Sequence, residues 1–350
     1  MPVWVNGSHA PTGSHGSEVA ARASANLGGC TISIALINNM PDAALKDTEL
    51  QFLELLDAAA GDIPMRVARY SLPGIVRGTQ GRQRLNDFYQ SIGDLWNSGA
   101  DVLIMTGTEP HQPDLRREPY WRILTQVLDW AAENTHFALL SCLAVHASVL
   151  HSDGITRHAL PDKRFGVFES EPASNHALIH DTPAHIRFPH SRWNEVRECD
   201  LVPSGYVVLT RSAVAGVDSF VKRNGKSLFW HFQGHPEYGA LTLLKEYRRD
   251  VRRFLNHERE TYPAFPSGYF DHAAESLLME FRVKALADPR VERMDSFPTA
   301  EISAGLTRAW RPAAILFYRN WMNYVVSRKS QPTRPVAVSS KLSRLSALSS

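Results

Sequence analysis

Cysteine is scarce in this chain: three in 350 residues, Cys30, Cys142 and Cys199, odd in number and far apart. That excludes a disulfide framework and a thiolate zinc site, which need paired or clustered cysteines. No apolar run approaches the ~18 residues of a membrane span, and the first residues lack the apolar core of a signal sequence. An excess of one charge is missing too: 38 Lys and Arg stand against 36 Asp and Glu, a net charge of +2. Bulk electrostatics therefore give no reason to expect nucleic acid or an anionic membrane as partner. What remains, with 43% hydrophobic and 21% charged residues, is an ordinary globular composition, long enough for one large domain with extensions or for two. A reducing cytoplasm is the default compartment, and it leaves a thiol usable.

Residues 1–29, rich in Gly, Ser, Ala and His without a period, read as a flexible N-terminal tail, and 331–350 as a flexible C-terminal one. Between them, 30–37, 65–70, 101–106 and 137–141 are short apolar or alternating runs of strand type. Residues 48–58, 85–96 and 120–133 read as the intervening helices, the first with Asp47 or Thr48 as N-cap. This alternation with short connections predicts right-handed βαβ units, hence an α/β fold with a mostly parallel sheet flanked by helices. Residues 154–203 read as loop-rich. Three further strands are expected at 206–214, 217–222 and 227–232, the last two joined through the turn signal Arg223-Asn-Gly225. Helices are expected at 241–258 and 313–327.

Ligands in such sheets gather at the carboxyl ends of the strands, and Cys142 falls there. Its preceding run, Phe137-Ala-Leu-Leu-Ser141, is strand-like; after it, Leu143, Ala147 and Leu150 keep helical spacing. A strand-to-helix turn exposes a nucleophile and aims a helix N-terminus at it, which would favour a thiolate and hold a developing oxyanion. The alternative is an inert core cysteine, a common fate of that residue. The thiol becomes an acyl acceptor when a histidine can hold its proton and a carboxylate orients the imidazole. Of 15 histidines, His235 is best placed: it follows a buried strand on a Gly-His-Pro turn, with Glu237 two residues on. A surface turn is the alternative for that tripeptide. Cys142, His235 and Glu237 match the Cys-His-Glu triad of class I glutamine amidotransferases in type and chain order.

Longer blocks resemble the homoserine O-succinyltransferase/O-acetyltransferase family of methionine biosynthesis. They are Asn39-Met-Pro41 with 48–56, Thr106-Gly107 with Tyr120-Trp121, Cys142-Leu-Ala-Val-His-Ala147, and Lys163-Arg-Phe-Gly-Val-Phe-Glu169. His190-Ser-Arg192, Gly234-His-Pro-Glu-Tyr238, Glu246-Tyr-Arg-Arg-Asp250 and Asn320-Trp-Met-Asn-Tyr324 complete them, in family order across roughly 31–327. The resemblance implies a class I glutamine amidotransferase-like (flavodoxin-like) fold, with 30–330 as an acyltransferase domain ending in a helical extension. It implies that Cys142 takes the acyl group from acyl-CoA as a thioester, with His235 as general base and Glu237 as its partner. Arg249 would grip the amino-acid carboxylate, a task suited to a bidentate guanidinium, and Lys163 and Ser191 match the other substrate-contacting positions. For Arg249 and Lys163 the alternative is a solvated face. The implied reaction is ping-pong, with succinyl-CoA (or acetyl-CoA) as co-substrate, L-homoserine as acceptor, no permanently bound cofactor, no metal, and a homodimer as the family's assembly.

Three positions depart from the family pattern. Position 111 is associated with acyl choice, glycine for succinyl and glutamate for acetyl; here it is His111, and an imidazole would not repel a succinyl carboxylate as glutamate would. The lysine pair after Met-Pro is replaced by Asp42-Ala43-Ala44, with Lys46 nearby in what reads as a longer loop. The aromatic residue often following the nucleophile is Leu143. Succinyl transfer to homoserine is the favoured reading; acetyl transfer, serine as acceptor, and a glutamine amidotransferase-type Cys hydrolase are the alternatives.

Overall fold

Strict alternation in the apolar runs decides how the sheet is covered. A computed structural model describes residues 3–5 and 31–330; most of both tails, and Cys30, lie outside the described residues. In strand β2 (Ile32–Ile37), Ile32, Ile34 and Leu36 enter one core while Ala35 and Ile37 enter the other. The same division holds for Val102 and Ile104 against Leu103 and Met105 in β4 (Val102–Met105), and for Leu139 against Ala138 and Leu140 in β5 (Phe137–Ser141). Successive residues of a strand point to opposite faces, so runs that are apolar throughout require cover on both.

One face is covered by helix α1 (Asp42–Ala60), through Phe52, Leu55 and Leu56; the other by α2 (Trp121–Asn134), through Leu124, Val127 and Leu128, and by α3 (Leu143–Asp153). Among the described residues, ten strands make the sheet, in the order β1-β3-β2-β4-β5-β10-β9-β8-β6-β7. Strands β1 (Val3–Val5), β3 (Met65–Tyr70), β2, β4, β5 and β10 (Ser227–Phe232) run parallel. The strands β9 (Gly216–Asn224), β8 (Val207–Ser212), β6 (His158–Pro172) and β7 (Ile186–Glu195) continue it antiparallel. The expected α/β architecture with a mostly parallel core is what forms.

Several boundaries differ, each for a local reason. Helix α1 begins at Asp42, not Asp47 or Thr48, so no long loop follows Met-Pro; the Asp42 carboxylate accepts the Gly78 N–H at 2.7 Å. The expected helix at 85–96 is two, Thr79–Phe88 and Ile92–Leu95, because Tyr89 leaves the helix to bond Asn38 and Glu49. Residues 154–203 are not loop-rich: they hold β6 and β7. Strand β7 is a sheet edge, where Pro189 is tolerated, and β6 carries an irregularity between Ala159 and Arg164, so neither has a clean period. Val3–Val5, within the expected tail, pairs with β3.

Two later helices close the molecule. Helix α4 (Thr242–Leu255) follows β10, and α5 (Arg311–Lys329) packs under the sheet, where Trp321 stacks on Phe137 at 5.4 Å and Phe317 on Trp230 at 5.5 Å. The helix His272–Ala287, capped by Asp271 on the Ala274 N–H (2.8 Å), was not anticipated in the sequence.

Candidate active site

Neighbouring parallel strands end together, and here three ends meet. Ser141 of β5 is in register with Phe232 of β10, and the Cys142 N–H continues the ladder to the Phe232 carbonyl at 2.9 Å. The residues just beyond each strand, Cys142 and His235, are thereby brought side by side. Cys142 holds φ +55° and ψ −114°, a backbone state costly for any residue with a side chain, and α3 starts immediately after it. The turn lifts the thiol out of the core: Cys142 is half-buried between fully buried neighbours and opens into a cleft of about 570 Å³. Gly107, past the end of β4, closes the other side. A methyl there would stand 2.8 Å from the Leu143 nitrogen and 3.4 Å from the Cys142 Cβ. The first N–H groups of a helix have no internal acceptor, so the Leu143 N–H is free to bind an oxyanion beside the thiol.

His235 is held from several sides. Its N–H donates to the Pro189 carbonyl of β7 (2.8 Å), its Nδ1 meets Glu237 Oε1 at 2.9 Å, and Tyr238 stacks on the ring at 4.1 Å. Ser141 Oγ donates to the same Glu237 oxygen at 3.1 Å. The buried Nε2 is left for the Cys142 thiol beside it. Burial opposes a charge on this ring, but the Glu237 carboxylate and the Cys142 thiol outweigh it and lift the imidazole to about 10. Gly234 permits the approach: a Cβ there would meet Asp218 Oδ1 at 2.5 Å and His190 Nε2 at 2.9 Å.

Across the cleft, β6, β7 and α4 bring Lys163, Ser191 and Arg249 together around two carboxylates. Lys163 Nζ lies 2.9 Å from Asp250 and 3.6 Å from Glu246, above the Phe165 ring. Ser191 Oγ donates to Glu246, whose other oxygen takes the Tyr238 hydroxyl at 2.7 Å. Arg249 contacts Asp250 at 3.1 Å and leaves 46% of its side chain exposed at the cleft wall. Burial favours a neutral Asp250, yet Lys163 and Arg249 outweigh it and hold its carboxyl below the usual carboxylate range. His111 is exposed, its backbone N–H on Glu118 at 2.6 Å, and the cleft lining on this loop runs from Thr106 to Pro110 without it.

Ser141, Tyr238, Glu246 and Asp250 were given no role from the sequence. All four stand in the stretches quoted above, but their contacts join β5, β6, β7, α4 and the His235 turn, elements distant in the chain. Among the described residues no cluster of His, Cys, Asp and Glu is arranged to hold a metal ion, and no helix is long and apolar enough to cross a membrane.

Comparison with known proteins adds the lineage. A family model described as homoserine O-succinyltransferase matches residues 17–332. A homoserine O-succinyltransferase of Rhodopseudomonas palustris is 44% identical over 303 residues, covering 86% of this chain and 89% of its own. The one from Methylorubrum extorquens is 41% identical over 297 residues, covering 85% and 88%. Among solved structures, a glutamine amidotransferase from Thermotoga maritima aligns with 84% of this chain and 98% of its own, with TM-score 0.42 and 12% identity. With matches across nearly the whole described chain, this protein belongs to the homoserine O-succinyltransferase family.

Proposed function

We propose that the chain moves a succinyl group from succinyl-CoA to the side-chain hydroxyl of L-homoserine, in methionine biosynthesis, through a thioester on Cys142. The observation that carries this reading is one cleft holding a cysteine on a strained strand-to-helix turn, a His235–Glu237 hydrogen-bonded pair beside it, and a guanidinium across from them. Relatives at 44% and 41% identity bearing the name homoserine O-succinyltransferase support the donor and acceptor.

The steps follow from the proton inventory. With His235 charged, Cys142 attacks the thioester carbonyl as a thiolate, and the oxyanion gathers on the Leu143 N–H and the backbone beside Gly107. The CoA thiolate leaves, taking the His235 proton, and the acyl group stays on sulfur. The imidazole, now neutral, accepts the proton of the homoserine hydroxyl as its oxygen attacks the acyl carbonyl. The C–S bond breaks, the thiolate returns, and the His235 cation is restored beside it. Arg249 takes the acceptor's carboxylate, Glu246 faces its ammonium, and Lys163 and Ser191 hold the two acidic residues in place.

Thiol release from succinyl-CoA and acetyl-CoA, each offered with homoserine and with serine, tests the reading. Release is expected to be fastest with succinyl-CoA and homoserine together. Equal or faster release with acetyl-CoA, or with serine, would overturn the corresponding half of the assignment, and ammonia release from glutamine would replace it with a hydrolase.

A further inference from the structure

One buried polar ring in the cleft has no task in the mechanism above. His146 is 3% exposed and lines the cleft, and among the described residues neither ring nitrogen has a hydrogen bond of ordinary geometry. Its polar neighbour Gln233 is already committed, accepting from the Val196 N–H at 2.8 Å and donating to the Val196 and Val217 carbonyls. A buried imidazole gains from a hydrogen-bond partner, and a ligand in this cleft would supply one.

The surroundings state what kind of ligand. His146 lies four residues after Cys142, on the first turn of α3, and helical side chains lean back toward the N-terminus. The ring therefore lines the same cleft as the Cys142 thiol, on the helix that starts directly after it. Burial keeps it uncharged, and the Arg157 and Arg192 cations reinforce this, holding it at about 3. Both guanidiniums also lie close enough to Cys142 to feel its charge. Arg192 is locked inside the protein on the Asn194 and Ala215 carbonyls. Arg157 is half-buried, lines the cleft, and among the described residues donates to the Gln112 and Pro113 carbonyls, at 3.4 and 3.1 Å. Its acidic neighbour Glu118 does not form an ion pair with it and gives one oxygen to the His111 and Gln112 N–H groups at 2.6 Å each. A neutral N–H donor and a guanidinium with donors to spare, near a thiol, describe a carboxylate subsite.

We propose that His146 and Arg157, backed by the fixed charge of Arg192, hold the far carboxylate of a dicarboxylic acyl group carried on Cys142. The proposal deepens the succinyl-transfer reading and rests on it for the identity of the acyl group.

Two measurements keep the subsite and that reading apart. In the first, Cys142 acylation is timed with succinyl-CoA and with butyryl-CoA, which has a methyl where succinyl has its carboxylate. Arg157→Gln should slow succinylation about tenfold or more and leave butyrylation within about twofold, the loss a charge-assisted hydrogen bond commands; Arg157→Lys should recover part of it. An equal loss with both donors would make Arg157 a support of the 107–118 loop and overturn the subsite. The second needs no acyl transfer: free succinate should slow iodoacetamide alkylation of Cys142 in the wild type, butyrate should not, and Arg157→Gln and His146→Asn should abolish the protection. Protection by succinate that survives in both variants overturns the subsite whatever the acylation result.

Discussion

At the scale of single side chains, His235 decides what Cys142 can do. Isolated histidine titrates near 6.5; here burial pulls the ring down while Glu237 and Cys142 push it further up, to about 10. In the proposed reaction a ring raised this far would be the cation beside the Cys142 sulfur, and would become a base only after CoA had left with its proton. Glu237→Gln removes one of the two charges that raise it. The midpoint of His235, read by NMR titration of ring-labelled histidine, should fall by more than one unit; a midpoint that stays near 10 would show that Glu237 only orients the ring. The sign for stability follows. A raised histidine stabilises the fold fully below about pH 6.5 and loses that contribution as pH rises through about 10. Glu237→Gln should therefore destabilise the protein more at pH 7 than at pH 10.5.

At the scale of elements, the site depends on how closely the strand ends approach. Gly107 matters because the Leu143 backbone stands 2.8 Å from where its Cβ would be, and backbone at a helix start cannot yield as a long side chain can. Gly107→Ala is expected to lower turnover by about 10²–10³-fold, the usual loss of an oxyanion donor, and to lower the thermal midpoint, because the clash is with backbone. Turnover within threefold of wild type would remove the Gly107–Leu143 junction from the oxyanion site. The elements that build this junction were legible in the sequence, since β4, β5 and β10 are buried along their whole length and read as largely apolar runs. Strands β6 and β7 were not. They form one end of the sheet, mix charged and polar residues among apolar ones without a clean period, and carry Lys163, Ser191 and Arg192 toward the cleft. The residues that suit them to a polar site are those that hide their strand character.

At the scale of the whole molecule, the buried imidazoles set the acid limit of the fold. His146 and His231 are held at about 3, in both cases by burial first, and burial lowers His190 as well. An unfolded chain binds these protons near pH 6.5 while the native state refuses them, so stability falls as pH drops from about 6.5 toward 3. His231 stacks on Phe220 at 4.7 Å and reaches Ser148 at 3.1 Å, inside the core and outside the cleft. His231→Phe should flatten the decline of the urea midpoint between pH 7 and pH 4.5, even if it lowers the midpoint at pH 7; an unchanged decline would assign acid sensitivity elsewhere. The triad, likewise, could be read as a set of candidates from strand ends alone, because Cys142 and His235 each follow a buried run. Its supporting groups could not. Ser141, Tyr238 and Glu246 gain meaning only when β7, β10 and α4 meet, and chain order does not encode that meeting.

The account rests on an acyl group passing through one sulfur. Intact-mass spectrometry after incubation with succinyl-CoA and no acceptor tests it most directly. The account predicts a single added succinyl group, located on Cys142 by peptide mapping, absent from Cys142→Ala, and discharged when homoserine is added. A wild-type enzyme that turns over with both substrates, yet carries no succinyl group on Cys142 without the acceptor, would contradict it.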